Sequence, residues 1–201
     1  MENGNIVNRY GLLTNKIYSE AELNAIDKRS AKSLRLLVNK FLRTNKATFL
    51  AKKINIYLYG PNRVGKTWFL HALSNYIINE YKIKSLYFIT APKLYKIYIK
   101  NPIKDDNTTW INFIATRKIL ILDDLGQEYR AKSGFAETNF EELIRWRFNN
   151  SRITIISGNA TPKTIKEVYG QSFSNFIEGE YIAYEIREDI NMSKLKLVER
   201  I

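Results

Sequence analysis

The sequence predicts an α/β fold: a five-stranded parallel sheet in the middle layer of three, with helices on both faces. Three observations predict it. Five short apolar runs, at 54–59, 85–90, 118–123, 153–157 and 181–186, alternate with helical patterns. A glycine-bearing turn joins the first run directly to a helix. The third run ends in Asp123-Asp124, and Asn159 follows the fourth. Strand–helix alternation of this kind gives a parallel sheet. Right-handed crossovers then put a ligand at the carboxyl ends of the strands.

Taken in order, residues 1–20 read as an extended arm and 21–201 as one core with a leading helix and a short C-terminal extension. Ser19 and Glu22 have the spacing of a capping box. Leu23, Ile26, Leu34, Leu37, Val38, Phe41 and Leu42 then recur at helical steps, and Lys28, Arg29, Lys32, Arg35 and Lys40 form the other face. That basic face is either solvated or a binding surface. A second helix spans 67–81 through Leu70, Leu73, Tyr76 and Ile77. Thr138 and Glu141 form a second capping box opening a helix through Phe148, and Thr161-Pro162 sets a cap before a proline at a third helix start.

Composition removes several chemistries. The chain has 201 residues, no cysteine and a single histidine, His71. Disulfides and thiol catalysis are excluded, and neither a zinc site of the usual ligands nor a Ser-His-Asp mechanism has enough histidine to work with. His71 reads as a packing residue on a helix. The opening Met1–Arg9 is polar, and no apolar run approaches the ~18 residues that span a bilayer, so a soluble, cytoplasmic protein without a membrane partner is expected. The net charge is +12 and uneven: residues 1–53 carry +7, 54–118 carry +7, 119–160 carry −1 and 161–201 carry −1. Such asymmetry suits a polyanion on one side of the molecule; a general lysine bias of the source gives the same count.

The chemistry sits at the predicted strand ends. Gly60-Pro61-Asn62-Arg63-Val64-Gly65-Lys66-Thr67 matches the phosphate-loop pattern G-x-x-x-x-G-K-[ST] in the strand-before, helix-after setting that gives the pattern meaning. The glycines let successive N–H groups curl around an anion, and the helix through Trp68 aims its positive end at the phosphates. Lys66 supplies a cation to the β- and γ-phosphates, and the Thr67 hydroxyl can ligate Mg2+. Asp123 and Asp124 lie 57 and 58 positions after Lys66. At a buried strand tip Asp123 can hold hydrated magnesium and Asp124 can orient or deprotonate water. Asn159 can reach a γ-phosphate or a water, or can be a turn residue.

Together, the GPNRVGKT loop, the LILDDLG strand and the TIISGNAT strand resemble the AAA+ ATPases of the helicase-loader type: DnaC, DnaI, the transposition helper IstB and their phage relatives. The Asp-Asp-Leu-Gly ending and the Arg145-Trp146-Arg147-Phe148 helix end strengthen the resemblance, which covers about residues 54–170. It implies strand order 5-1-4-3-2 with the lid reduced or absent, and ATP and Mg2+ as ligands. It also implies a homo-oligomer on single-stranded DNA and a replicative helicase as partner. By position it gives Lys66 and Thr67 the phosphate and metal roles, Asp123 the metal role, Asp124 the water-activating role and Asn159 the sensor role. It also points to Lys93, Lys96, Lys100 and Lys104, interleaved with Tyr95, Tyr98 and Ile99, as DNA contacts, with cations for the backbone and rings for stacking. Alternatively those apolar residues pack on the sheet and the lysines point to water. The loop 128–137, with Tyr129, Arg130 and Lys132, is a further contact candidate.

The chain departs from the family pattern in three places. Asn175 and Phe176 stand where an arginine usually reaches the neighbouring subunit's ATP. The later arginine is replaced by Lys194 or missing, with Arg145, Arg147 and Arg187 as possible substitutes. Loaders usually carry a separate N-terminal helicase-binding domain, whereas the roughly 20–50 residues ahead of the core here read mostly as the core's own leading helix. The leading expectation is therefore an ATP-dependent DNA-replication accessory protein that loads a replicative helicase onto single-stranded DNA. An ATP-responsive adaptor or transposition helper with little hydrolysis is the alternative. A small P-loop kinase comes third, because residues 161–201 offer only Arg187 and Arg200 for an arginine-bearing lid.

Overall fold

The structure, a computed structural model, describes residues 46–79, 81–100, 110–126 and 135–187. The arm, the leading helix, Lys104, most of the loop 128–137 and Lys194 lie outside the described residues. The elements run α1 (Lys46–Ala51), β1 (Ile56–Tyr59), α2 (Lys66–Asn79), β2 (Leu86–Thr90), α3 (Ala91–Lys100), α4 (Trp110–Ala115), β3 (Ile119–Leu125), α5 (Phe135–Asn149), β4 (Ile153–Gly158), α6 (Lys166–Glu180) and β5 (Ile182–Glu185). The five strands form one sheet in the order β2-β3-β4-β1-β5, and every pairing is parallel, as expected.

Strand alternation splits the core into two layers. On one face Ile56 and Leu58 of β1, Ile119 and Ile121 of β3, and Ile153 and Ile155 of β4 pack with Phe69, Leu70, Leu73 and Ile77 of α2. On the other face Tyr57, Leu120, Leu122 and Ile156 pack with Leu94 and Tyr98 of α3, Phe140 and Ile144 of α5, and Phe173 and Ile177 of α6. Both faces are covered, so the strands are apolar throughout, which is why they were legible as continuous runs. His71 is buried and stacks on Phe88, its ring centroid 4.3 Å away, in the packing role expected of it.

Two caps differ from expectation. Thr138 lies inside α5, which begins at Phe135, and Glu141 pairs forward with Arg145 at 2.7 Å. An i,i+4 ion pair is an equally local use of that glutamate. Thr161 caps a turn ahead of α6: its Oγ1 accepts the Thr164 N–H at 3.1 Å, and its carbonyl accepts the Ile165 N–H at 3.0 Å. Helix α6 is broken at Gly170, whose φ of 83° leaves the helical region.

Candidate nucleotide site

β4 lies between β1 and β3, so the ends of these three strands meet at one edge of the sheet. The loop 60–65 leaves β1 and enters α2 at Lys66. Gly60 has φ 149°, and a Cβ there would lie 2.1 Å from the Ile186 carbonyl oxygen. Only glycine lets β1 turn this close to the strand beside it. Arg63 and Gly65 also have positive φ, 67° and 93°. Val64 is buried and anchors the loop in the core, whereas Pro61, Asn62, Arg63 and Thr67 face solvent. Trp68 is half-buried against the core layer of α2. The backbone N–H groups of Asn62, Arg63 and Gly65 have no hydrogen-bond partner among the described residues, leaving a cradle of donors at a helix N-terminus.

Lys66 is buried and folds back over the loop. Its Nζ donates to the Gly60 carbonyl at 2.8 Å, the Pro61 carbonyl at 2.6 Å and Asn159 Oδ1 at 3.0 Å. Asn159 Nδ2 in turn donates to Asn62 Oδ1 at 2.8 Å. The asparagine after β4 thus bridges the lysine and the loop rather than serving as a turn residue. Burial pushes the Lys66 ammonium below its ordinary value, and Asp124 and Asp123 pull it back up.

The acidic pair needs a special backbone. Consecutive strand residues point to opposite faces, so two adjacent aspartates should diverge. Here Leu122 pairs with Ile156 and Leu125 with Gly158, so β3 carries one extra residue. Asp124 takes the distortion, with φ 59°. A bulge re-aims a side chain, and aspartate tolerates the left-handed region better than most residues. Asp123 stays fully buried while Asp124 is half-exposed. Burial, and then Asp123, push the Asp124 carboxyl above its ordinary value; Lys66 lowers it.

Ser157 was not singled out from the sequence, yet it organises this pair. Its buried hydroxyl donates to Asp123 Oδ1 and accepts the Asp124 N–H at 3.2 Å. The available signal was its position two residues before Asn159, on the same face of β4. Tyr57 was missed as well. Its hydroxyl donates to the Ala160 carbonyl at 2.7 Å and so pins the segment carrying Asn159.

The residues present fit a magnesium ion accompanying phosphates. Asp123 Oδ2 is buried without a hydrogen-bond partner among the described residues, and such an oxygen is costly unless a cation meets it. Among the described residues no group of three or more His, Cys, Asp or Glu side chains forms a cage. That suits Mg2+, which usually relies on one or two carboxylates plus substrate oxygens and water.

The remaining candidates separate. Lys93 and Lys96 are exposed on α3, and nothing is described of the Lys100 side chain. Tyr95 and Tyr98 are buried in the core, so the expectation that their rings stack on bases is corrected: periodicity placed them on the sheet-facing side. Arg147 is no substitute for a trans-acting arginine. It is fully buried, and its guanidinium donates to Thr154 Oγ1 and to the carbonyls of Ile114, Ala115, Arg117 and Ile153. Arg145 is engaged with Glu141, with the Ser172 carbonyl and hydroxyl, and over the Phe176 ring at 4.5 Å. Arg187 is exposed, pairs with Glu185, and follows Ile186 beside Gly60.

A phosphate loop after β1, an acidic pair at the end of β3 and an asparagine after the strand between them define the core of an AAA+ P-loop ATPase. The chain belongs to the family of bacterial DnaA ATPase domains, whose family model matches residues 36–183. Among curated proteins it is 28% identical over 137 residues to the replicative helicase loader DnaI of Bacillus subtilis, covering 67% of this chain and 42% of that one. It is 25% identical over 122 residues to the chromosomal replication initiator DnaA of Deinococcus deserti, covering 60% of this chain and 26% of that one. The chain thus spans less than half the length of these curated relatives. The crystal structure of the DnaC helicase loader superposes with TM-score 0.65 at 19% identity, covering 85% of this chain and 99% of that one. A replication initiator DnaA bound to AMPPCP and single-stranded DNA superposes with TM-score 0.62 at 16% identity, covering 85% and 51%. At these identities the two structures speak for the fold. The resemblance to DnaC- and DnaI-type AAA+ proteins read from the motifs therefore stands.

Proposed function

We propose that this chain is an ATP-dependent DNA-replication accessory protein that assembles on single-stranded DNA and delivers a replicative helicase to it. The observation that carries the reading is the convergence of Lys66, Asn159, Asp123 and Asp124 at neighbouring strand ends. The cradle 60–65 takes the triphosphate. Lys66, its Nζ already folded over the loop, exchanges two carbonyls and Asn159 for phosphate oxygens. Magnesium, held by Thr67 and Asp123 together with the phosphates, would neutralise charge on the transferred group. Asp124 orients the attacking water and accepts its proton; burial and Asp123 raise its pKa above the ordinary aspartate value, which favours taking up that proton. Asn159, released from Lys66, reports the γ-phosphate to β4, and so to Tyr57 on β1.

DNA and helicase enter through the relatives: a DnaA structure holds single-stranded DNA, and DnaI is a helicase loader. The exposed Lys93 and Lys96 are the backbone contacts on this side of the molecule. The test is Lys66→Ala. It should weaken ATP binding by one to two orders of magnitude, the worth of a charge-assisted contact. It should also abolish ATP-dependent binding to single-stranded DNA and capture of a replicative helicase. Unchanged nucleotide-dependent binding would end the reading.

A second reading is favoured by α6. Asn175, at the place of the family's arginine, is exposed and bonded to Gln171 at 2.7 Å, while Phe176 packs on Phe148 and Tyr181. The absence of an arginine at this place supports an ATP-responsive adaptor with little hydrolysis as the second reading. Turnover that stays low in the presence of DNA and helicase, with ATP-dependent binding intact, would select it.

A further inference from the structure

The edge of the sheet opposite the phosphate loop is also organised. Each strand of β2-β3-β4-β1 is entered through a turn that carries cations: Lys82 and Lys84 before β2, Lys118 before β3, Arg152 before β4, and Lys52 and Lys53 before β1. Hydrogen bonds tie these turns into one continuous row. Lys118 N–H donates to Ser85 Oγ at 3.1 Å, Ile153 N–H to the Lys118 carbonyl at 3.0 Å, and Lys53 Nζ to Ser151 Oγ at 2.8 Å. Neighbouring strands are ~4.8 Å apart, so the cations run side by side across four strands.

A merely solvated surface mixes both signs. Here the ion pairs among the described residues are Arg145–Glu141 and Arg187–Glu185, and none of the six cations takes part in one. Arg152 is half-buried, and its Nε has no hydrogen-bond partner among the described residues. The carboxylates Glu178 and Glu180 gather at the fifth turn, before β5, and mark where the basic row stops. One more feature lies at this edge. Trp146, in the last turn of α5, is the large hydrophobic side chain left exposed among the described residues, at 43%. Its carbonyl accepts from both the backbone and the side chain of Asn150, in the turn leading to Arg152.

We infer that this edge binds the phosphate backbone of a single-stranded nucleic acid, with Trp146 as a stacking platform for a base. A row of cations that make no ion pair among the described residues can track a backbone without reading sequence, and an exposed indole accepts any base. The surface is separate from the nucleotide site and from Lys93 and Lys96, so it goes beyond the loader reading and does not depend on ATP.

The test uses the full chain and a labelled oligothymidylate, with affinity followed over a salt series. The variants are the triple Lys53→Gln/Lys84→Gln/Lys118→Gln, Trp146→Ala, and a control pair away from the edge, Lys163→Gln/Lys166→Gln. The triple variant should bind on the order of tenfold more weakly at low salt, and its slope of log affinity against log salt should fall by about 2. ATP affinity should be unchanged, which separates failure here from failure of the loader reading. Trp146→Ala should weaken oligothymidylate more than duplex. A triple variant equal to the parent in affinity and slope overturns the proposal. So does an equal loss per charge in the control pair, or loss of an acidic protein partner with DNA binding intact. No effect of Trp146→Ala overturns the single-strand assignment.

Discussion

Asp124 sits where strand geometry would not leave it. A regular β3 would send its carboxyl to the face opposite Asp123; the extra residue and a φ of 59° bring both carboxylates close enough to Lys66 to act on it. Burial and Asp123 raise its pKa, so its ionised form carries a penalty in the folded protein. The sign follows from linkage. The folded state holds the proton more tightly, so the penalty is fully present above the folded pKa and gone below the ordinary aspartate value of ~3.9. Asp124→Asn should therefore unfold at a higher temperature than the parent at neutral pH. That advantage should shrink as pH falls through the acid range. The same variant should lose at least about a hundredfold in ATP turnover while retaining ATP binding. In the parent, turnover should fall on the acid side at a higher pH than an ordinary aspartate would dictate. A pH–rate profile beside melting curves of both proteins checks all three outcomes; equal stability across pH would show that the carboxylate carries no such penalty.

At the scale of elements, Arg147 fastens three of them. From the last turn of α5 it reaches the C-terminal carbonyls Ile114 and Ala115 of α4, the Arg117 carbonyl beyond it, and Ile153 and Thr154 of β4. Burial lowers its pKa to about 9, which leaves it charged at neutral pH, and its five acceptors disperse that charge. Arg147→Ala strands several buried carbonyls and should cost about 4 kcal/mol or more, read from the urea midpoint. Arg147→Lys should recover part of that, since an ammonium cannot span the same acceptors. The residue shows where sequence reasoning stops. Phe140, Leu143, Ile144 and Arg147 follow one helical stripe, so the burial of Arg147 was written in the spacing but hidden by its charge. The five strands and the loop 60–67 were legible because burial on both faces and a phosphate cradle leave local signatures. Ser157 was not: a serine within an apolar strand looks the same whether or not two aspartates depend on it. Helices α1 and α4, six residues each, are too short to show a period.

For the whole molecule, the site is shared among three strand ends and is incomplete until its ligand arrives. The carboxylate that would meet a metal has one satisfied oxygen and one without a partner among the described residues, and the described acids build no cage of their own. Magnesium alone should therefore leave the melting temperature unchanged. The loop donors and Lys66 can engage phosphates without a metal, so ATP with a chelator should give a partial shift. ATP and magnesium together should give the full shift, equivalent to about 2.7 kcal/mol at a hundredfold excess over the dissociation constant. Asp123→Ala should abolish the increment that magnesium adds and leave the ATP-only shift in place, because the cradle and Lys66 belong to β1 and α2. Differential scanning fluorimetry over the three ligand conditions and both proteins measures this. A full shift with magnesium alone would mean a preformed cation site, and would detach the acidic pair from the nucleotide.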